Sequence, residues 1–98
     1  MRRRARVDGN QASLVNCLRG LGASFQHTHT IPGALDGIVG YVGIDQRVEI
    51  KDPEQPPSGR RLTKLEQDVF DQWMGRRPVV LETIEDCVNL LRKMRAVL

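Results

Sequence analysis

Two runs of strand character stand almost back to back in the middle of the chain, Asp36-Gly37-Ile38-Val39-Gly40-Tyr41-Val42 and Gln46-Arg47-Val48-Glu49-Ile50-Lys51. Only Gly43-Ile44-Asp45 separates them, a length that closes an antiparallel hairpin and offers a glycine where the turn needs positive φ. Asp52-Pro53-Glu54-Gln55-Pro56-Pro57-Ser58-Gly59 follows at once, and its three prolines cannot continue a ladder. The chain is thereby held to a fold centred on a sheet, with a loop leaving the second strand of the hairpin.

A hairpin dictates which side chains meet. Closure between Gly43 and Gln46 sets Gly40 opposite Glu49. Asp36, Ile38, Gly40 and Val42 then share a face with Arg47, Glu49 and Lys51, while Val39, Tyr41, Val48 and Ile50 form the apolar reverse. Residues two apart on a strand project to the same side, so the Glu49 carboxylate and the Lys51 ammonium converge with Asp36, and Gly40 leaves room for an ion. The Ile50 carbonyl stays available at the strand edge. Two carboxylates and a peptide carbonyl suit Mg²⁺ (or Mn²⁺). Such a metal polarises a phosphodiester and acidifies a bound water, and Lys51 can orient that water or neutralise charge in the transition state. Lysine is scarce here, three of fifteen basic residues, and unlike arginine it can share its proton when desolvated. The other reading of the same spacing is a surface hairpin with an acid–lysine pair worth about a few tenths of a kcal/mol.

The flanks supply helices. Asp8-Gly9-Asn10-Gln11 has the spacing of a capping box, and Leu14, Val15, Leu18 and Leu21 predict a helix over 9–21 stopped by Gly20 and Gly22. Residues 23–30 read as a strand and Ile31-Pro32-Gly33-Ala34 as a turn. Thr63-Lys64-Leu65-Glu66 opens a helix ending at Gly75, with Leu65, Val69, Phe70 and Trp73 on one side; at this spacing Trp73 suits a core or dimer contact better than base stacking. Pro78-Val79-Val80-Leu81 is a short buried strand, parallel to the Glu49 strand across the intervening helix. Thr83-Ile84-Glu85-Asp86 caps a last helix with Ile84, Cys87, Val88, Leu91 and Met94 facing inward. Cys17 and Cys87 read as small buried hydrophobes in a reducing compartment. The order is αβββαβα.

Charge is uneven. Residues 1–6 carry four arginines, and the remainder holds eleven basic and twelve acidic residues, so the net +3 resides in the start of the chain. Residues 1–7 form a basic tail in which Arg2, Arg3 and Arg4 can grip phosphate, and 8–98 form a single domain. Arg60, Arg61 and Lys64 lie where a helix begins, so they either hold a phosphate with the free amides there or belong to a solvated loop. Arg76-Arg77 and Arg92-Lys93-Arg95 add basic surface. His27 and His29 share a strand face, but no Cys or acid completes a Zn²⁺ set; they line the open face of the sheet or are simply exposed. No apolar run approaches the ~18 residues of a membrane span, and no apolar stretch follows the basic start, which sets aside membrane insertion and secretion as first readings and points to the cytoplasm.

Asp36, followed by Glu49-Ile50-Lys51 within this element order, resembles the PD-(D/E)xK nuclease superfamily, and more narrowly its small stand-alone VRR-NUC type proteins of phages and bacteria. Asn10-Gln11, Leu18 to Ala23, Asp36 to Tyr41, Val48 to Asp52, Arg61-Leu62-Thr63 with Glu66, and Trp73-Met74-Gly75 carry the resemblance. Leu35 stands where the superfamily has the proline of its name, a residue that shapes a turn and binds no metal. The resemblance implies an α/β, restriction-endonuclease-like αβββαβ(α) core with a mixed four-stranded sheet flanked by helices. It implies Asp36, Glu49 and the Ile50 carbonyl as ligands of Mg²⁺ (or Mn²⁺), and Lys51 as the catalytic lysine. Gln11 matches a first-helix position near the metal, although a helix-capping role at N3 explains it equally well. The expected activity is metal-dependent endonucleolytic hydrolysis of DNA, selective for branched structures such as a Holliday junction or flap, by a homodimer in a bacterial or phage-infected cell. The alternative is a non-catalytic nucleic-acid-binding or assembly module on the same scaffold.

Overall fold

The computed structural model describes residues 9–97, so the expectations placed on Arg2, Arg3, Arg4 and Asp8 lie outside the described residues. Four strands, β1 (Ser24–His27), β2 (Gly37–Tyr41), β3 (Ile44–Ile50) and β4 (Val79–Leu81), form one mixed open sheet in the order β1-β2-β3-β4. The first two pairings are antiparallel and β3–β4 is parallel, with Val48 beside Val79 and Ile50 beside Leu81. Helices α1 (Gln11–Gly20), α2 (Pro57–Arg60), α3 (Lys64–Gln72) and α4 (Ile84–Ala96) complete the α/β fold. Among the described residues no helix is long and apolar enough to cross a membrane.

The core lies on one face of the sheet. Phe25, Val39, Val48, Ile50 and Leu81 meet Leu14, Val15 and Leu18 of α1 and Cys87, Leu90, Leu91 and Met94 of α4. The α4 stripe follows i, i+3, i+4, i+7 from Cys87, the spacing of a buried helix face. Ile84, expected to face inward, is 46% exposed: it lies at the edge of that stripe and is the first residue of the helix. Cys17 is half-buried and Cys87 buried, both as free thiols, and burial pushes the Cys87 thiol up to about 12. The end of α1 is a Schellman motif: Ala23 N–H reaches the Leu18 carbonyl at 3.0 Å, Gly22 N–H reaches that of Arg19 at 3.1 Å, and Gly22 has φ +97°.

Three further sequence expectations are corrected. The hairpin closes over two residues, Val42 and Gly43, both with positive φ (47° and 80°), so Tyr41 pairs with Ile44 and Gly40 faces Asp45 instead of Glu49. The register moves by an even number of residues, so Asp36 and Ile38 keep the same face as Arg47, Glu49 and Lys51. The proline loop contains the short α2, with Pro57 at its first position, where a missing N–H costs nothing. On α3 only Phe70 is buried; Leu65 is 57% and Trp73 45% exposed, and the Arg47 guanidinium lies 4.2 Å from the Trp73 ring centre.

Candidate active site

Asp36 immediately precedes β2 and Lys51 immediately follows β3, so the two meet at one end of the sheet. Backbone contacts fix both. Thr28 donates its N–H to the Asp36 carbonyl at 2.8 Å and its hydroxyl to the Leu35 carbonyl at 2.7 Å. Leu35 is almost wholly buried and so anchors the turn by packing. Gly37 is required beside Asp36, because a methyl group there would overlap the Phe25 ring. Lys51 N–H extends the parallel ladder to the Leu81 carbonyl at 3.1 Å. Asn10 donates its side-chain amide to the carbonyls of Lys51 (3.1 Å) and Glu82 (2.8 Å), tying the start of α1 to the ends of β3 and β4.

The side chains then converge. Asp36 Oδ2 accepts the Ile50 N–H at 2.7 Å, replacing a ladder bond with a side-chain one. Lys51 Nζ stands 3.5 Å from Glu49 Oε2 and 2.9 Å from Glu66 Oε1. Exposures of 9% for Asp36, 5% for Glu49 and 7% for Lys51 rule out a solvated surface pair. Glu66 comes from α3, where its Oε1 also accepts the Thr63 N–H at 2.9 Å in a complete capping box. Sequence reasoning saw Glu66 as a helix cap and missed it as the partner of Lys51.

Two carboxylates thus hold one ammonium, with the Asp36 carboxyl close enough for the charges to act on one another. Burial, then the charge of Asp36 and the neighbouring Glu66, push the Glu49 carboxyl up to about 9. Burial also raises Asp36, against the lowering effect of the Ile50 N–H and of Glu49. Burial opposes the charge of Lys51, but the hydrogen bond to Glu66 and the charges of Glu66 and Glu49 outweigh it and raise the ammonium. Glu66 is lowered: burial works against its charge, yet the Thr63 N–H, Glu49 and Lys51 together prevail. Among the described residues no group of three or more His, Cys, Asp or Glu side chains has metal-holding geometry by itself. The oxygen donors gathered here are the Asp36 and Glu49 carboxylates and the backbone at Ile50.

Gln11 does not cap its helix from N3, since Asn10 is the N-cap and Gln11 the first helical residue. It is buried, its Nε2 lies 3.2 Å from His27 Nδ1, and its Oε1 has no partner. His27 and His29, whose ring centres are 5.9 Å apart, join Gln11, Val15 and Arg19 around a groove of about 370 Å³ between α1 and β1. His27 lies opposite Gly37, on the face of β1 that carries Phe25, so it is not on the same face as Asp36 and Glu49. Arg60 is half-buried at the end of α2 and Arg61 is exposed. Lys64 is exposed and paired with Asp68 at 3.1 and 3.2 Å, and Thr63 Oγ1 already occupies the Glu66 amide at the start of α3. Comparison with known protein families, with curated proteins and with solved structures found no match.

Proposed function

We propose that the chain is a divalent-metal-dependent endonuclease with a restriction-endonuclease-like core, hydrolysing phosphodiester bonds of branched DNA. One observation carries the reading: Asp36, Glu49 and Lys51 are buried together at one end of the sheet, with more carboxyl groups than Lys51 can pair. Such an excess, presented as oxygen ligands, fits Mg²⁺ or Mn²⁺, which binds through one or two carboxylates and keeps several waters. Asp36 and Glu49 would hold the ion, with the Ile50 carbonyl as a third oxygen. Bound there, it supplies charge to the scissile phosphate and acidity to a water.

The protein's own groups do the rest. The Ile50 N–H fixes the orientation of the Asp36 carboxylate. Lys51, held as an ammonium, offers donors to a phosphate oxygen or to the attacking water, and in a site with little solvent each such donor stabilises developing charge more than it would in bulk water. Arg60, Arg61 and the basic start of the chain would contact the DNA backbone. A homodimer would supply the two sites that paired incisions at a junction require. The assembly reading draws on the exposure of Leu65, Trp73 and Met74 (57, 45 and 96%).

The test is incubation of the purified protein with a four-way junction, a flap and a linear duplex, each with Mg²⁺, Mn²⁺ or EDTA. Cleavage of branched substrates in either metal and none in EDTA is expected. Equal cleavage in EDTA, or no cleavage of any substrate in either metal, would overturn the reading.

A further inference from the structure

We infer that Glu66 is a positioning residue: the capping-box acid of α3 holds the Lys51 ammonium in place for the reaction, a role that rests on the nuclease reading of the Asp36, Glu49 and Lys51 site. A lysine side chain has four rotatable bonds and a mobile ammonium, so its catalytic use depends on what holds it. Two carboxylates touch Lys51, and the contact to Glu66, at 2.9 Å, is shorter than that to Glu49, at 3.5 Å. Under the nuclease reading Glu49 is committed to the metal, which leaves Glu66 as the anchor. Glu66 is itself held: the oxygen that accepts from Lys51 also accepts the Thr63 N–H at 2.9 Å, so the ammonium is referenced to the backbone at the start of a helix.

The second capping box in the molecule shows that this is not a by-product of capping. In α4, Asp86 Oδ2 accepts from the N–H groups of Thr83 (3.1 Å) and Glu82 (2.8 Å), both local. The α3 box has the same architecture, but one of its two donors comes from fifteen residues away, across the proline loop. A cap needs no such donor. The arrangement makes α3 a clamp on Lys51.

Two variants separate clamping from capping. Glu66→Gln keeps an oxygen for the Thr63 N–H but loses the charge that holds Lys51; Thr63→Ala weakens the cap but leaves the Glu66 carboxylate and the Thr63 N–H. With a four-way junction in Mg²⁺, Glu66→Gln is expected to lower kcat by about tenfold to a hundredfold, the scale of a misplaced reacting group. Its KM and Tm should stay near those of the wild type. Thr63→Ala is expected to lower Tm with kcat largely kept. In the DNA-free protein, the ¹⁵N resonance of the Lys51 ammonium should be slowly exchanging in the wild type and Thr63→Ala and lost in Glu66→Gln. Wild-type kcat with an unchanged Lys51 signal in Glu66→Gln would overturn the inference, as would kcat and Tm falling together in both variants. If the wild type cleaves no DNA, the nuclease reading fails, and the ammonium resonance still decides for or against the clamp.

Discussion

At the end of β3 the two sides are both buried and opposite in chemistry, although earlier along the strand Asp45 is exposed and Arg47 half-buried. Val48 and Ile50 point into the apolar core under α1 and α4, with no measurable exposure. Glu49 and Lys51, alternating with them along the strand, are 5% and 7% exposed among charges. Removing apolar surface from water stabilises the fold by about 25 cal/mol per Å². Desolvating charges costs free energy that pairing only partly returns. Depth therefore does not separate the apolar positions from the charged ones here; what surrounds the side chain does. Substitutions on the two sides should therefore divide, one set losing stability and the other losing activity.

The largest effects belong to the charged side. Asp36→Ala, Glu49→Ala and Lys51→Ala should each reduce metal-dependent cleavage at least about a thousandfold, and double variants should be little worse than single ones, because groups acting as a unit give non-additive losses. Cleavage rates measured beside circular dichroism spectra check this; a robustly active, folded Glu49→Ala would break the comparison. On the apolar side, Ile50→Ala should cost about 2–5 kcal/mol in urea unfolding, the range for emptying a packed site. A loss well under 1 kcal/mol would mean that the core under α1 and α4 is not the principal support of β3.

A smaller effect sharpens the contrast through pH. Burial, then Asp36 and Glu66, hold the Glu49 carboxyl up at about 9, against 4.5 for an unperturbed glutamate. Between those values the folded protein keeps a proton that the unfolded chain has released, so its stability falls as pH rises through this window. Glu49→Gln, which cannot ionise, should flatten that fall and be more stable than the wild type at the alkaline end. Parallel pH profiles of Tm for the two proteins would contradict the burial of an ionisable Glu49.

Much of this arrangement was legible in the sequence, and the misses have physical causes. The shared face of Asp36, Glu49 and Lys51 survived a mistaken register because the error was an even number of residues, which leaves strand alternation intact. That register was hidden because Val42, β-branched, sits at positive φ, a conformation its side-chain chemistry argues against. Both capping boxes were readable from Thr63 and Thr83, since caps are local. The Glu66–Lys51 contact was not, because it joins residues across the proline loop, and no spacing rule encodes it. Asn10 hid in the same way: its side chain serves the distant carbonyls of Lys51 and Glu82.

Under the proposed function, Asp36 and Glu49 form a cation site whose burial the fold tolerates. Thermal unfolding of the wild type and of the Asp36→Asn/Glu49→Gln double variant across a millimolar Mn²⁺ series tests it without reliance on cleavage. A ligand bound by the folded state alone raises Tm with concentration. The account predicts a rise in the wild type and a flat series in the double variant, whereas no wild-type rise, or the same rise in both proteins, would contradict it.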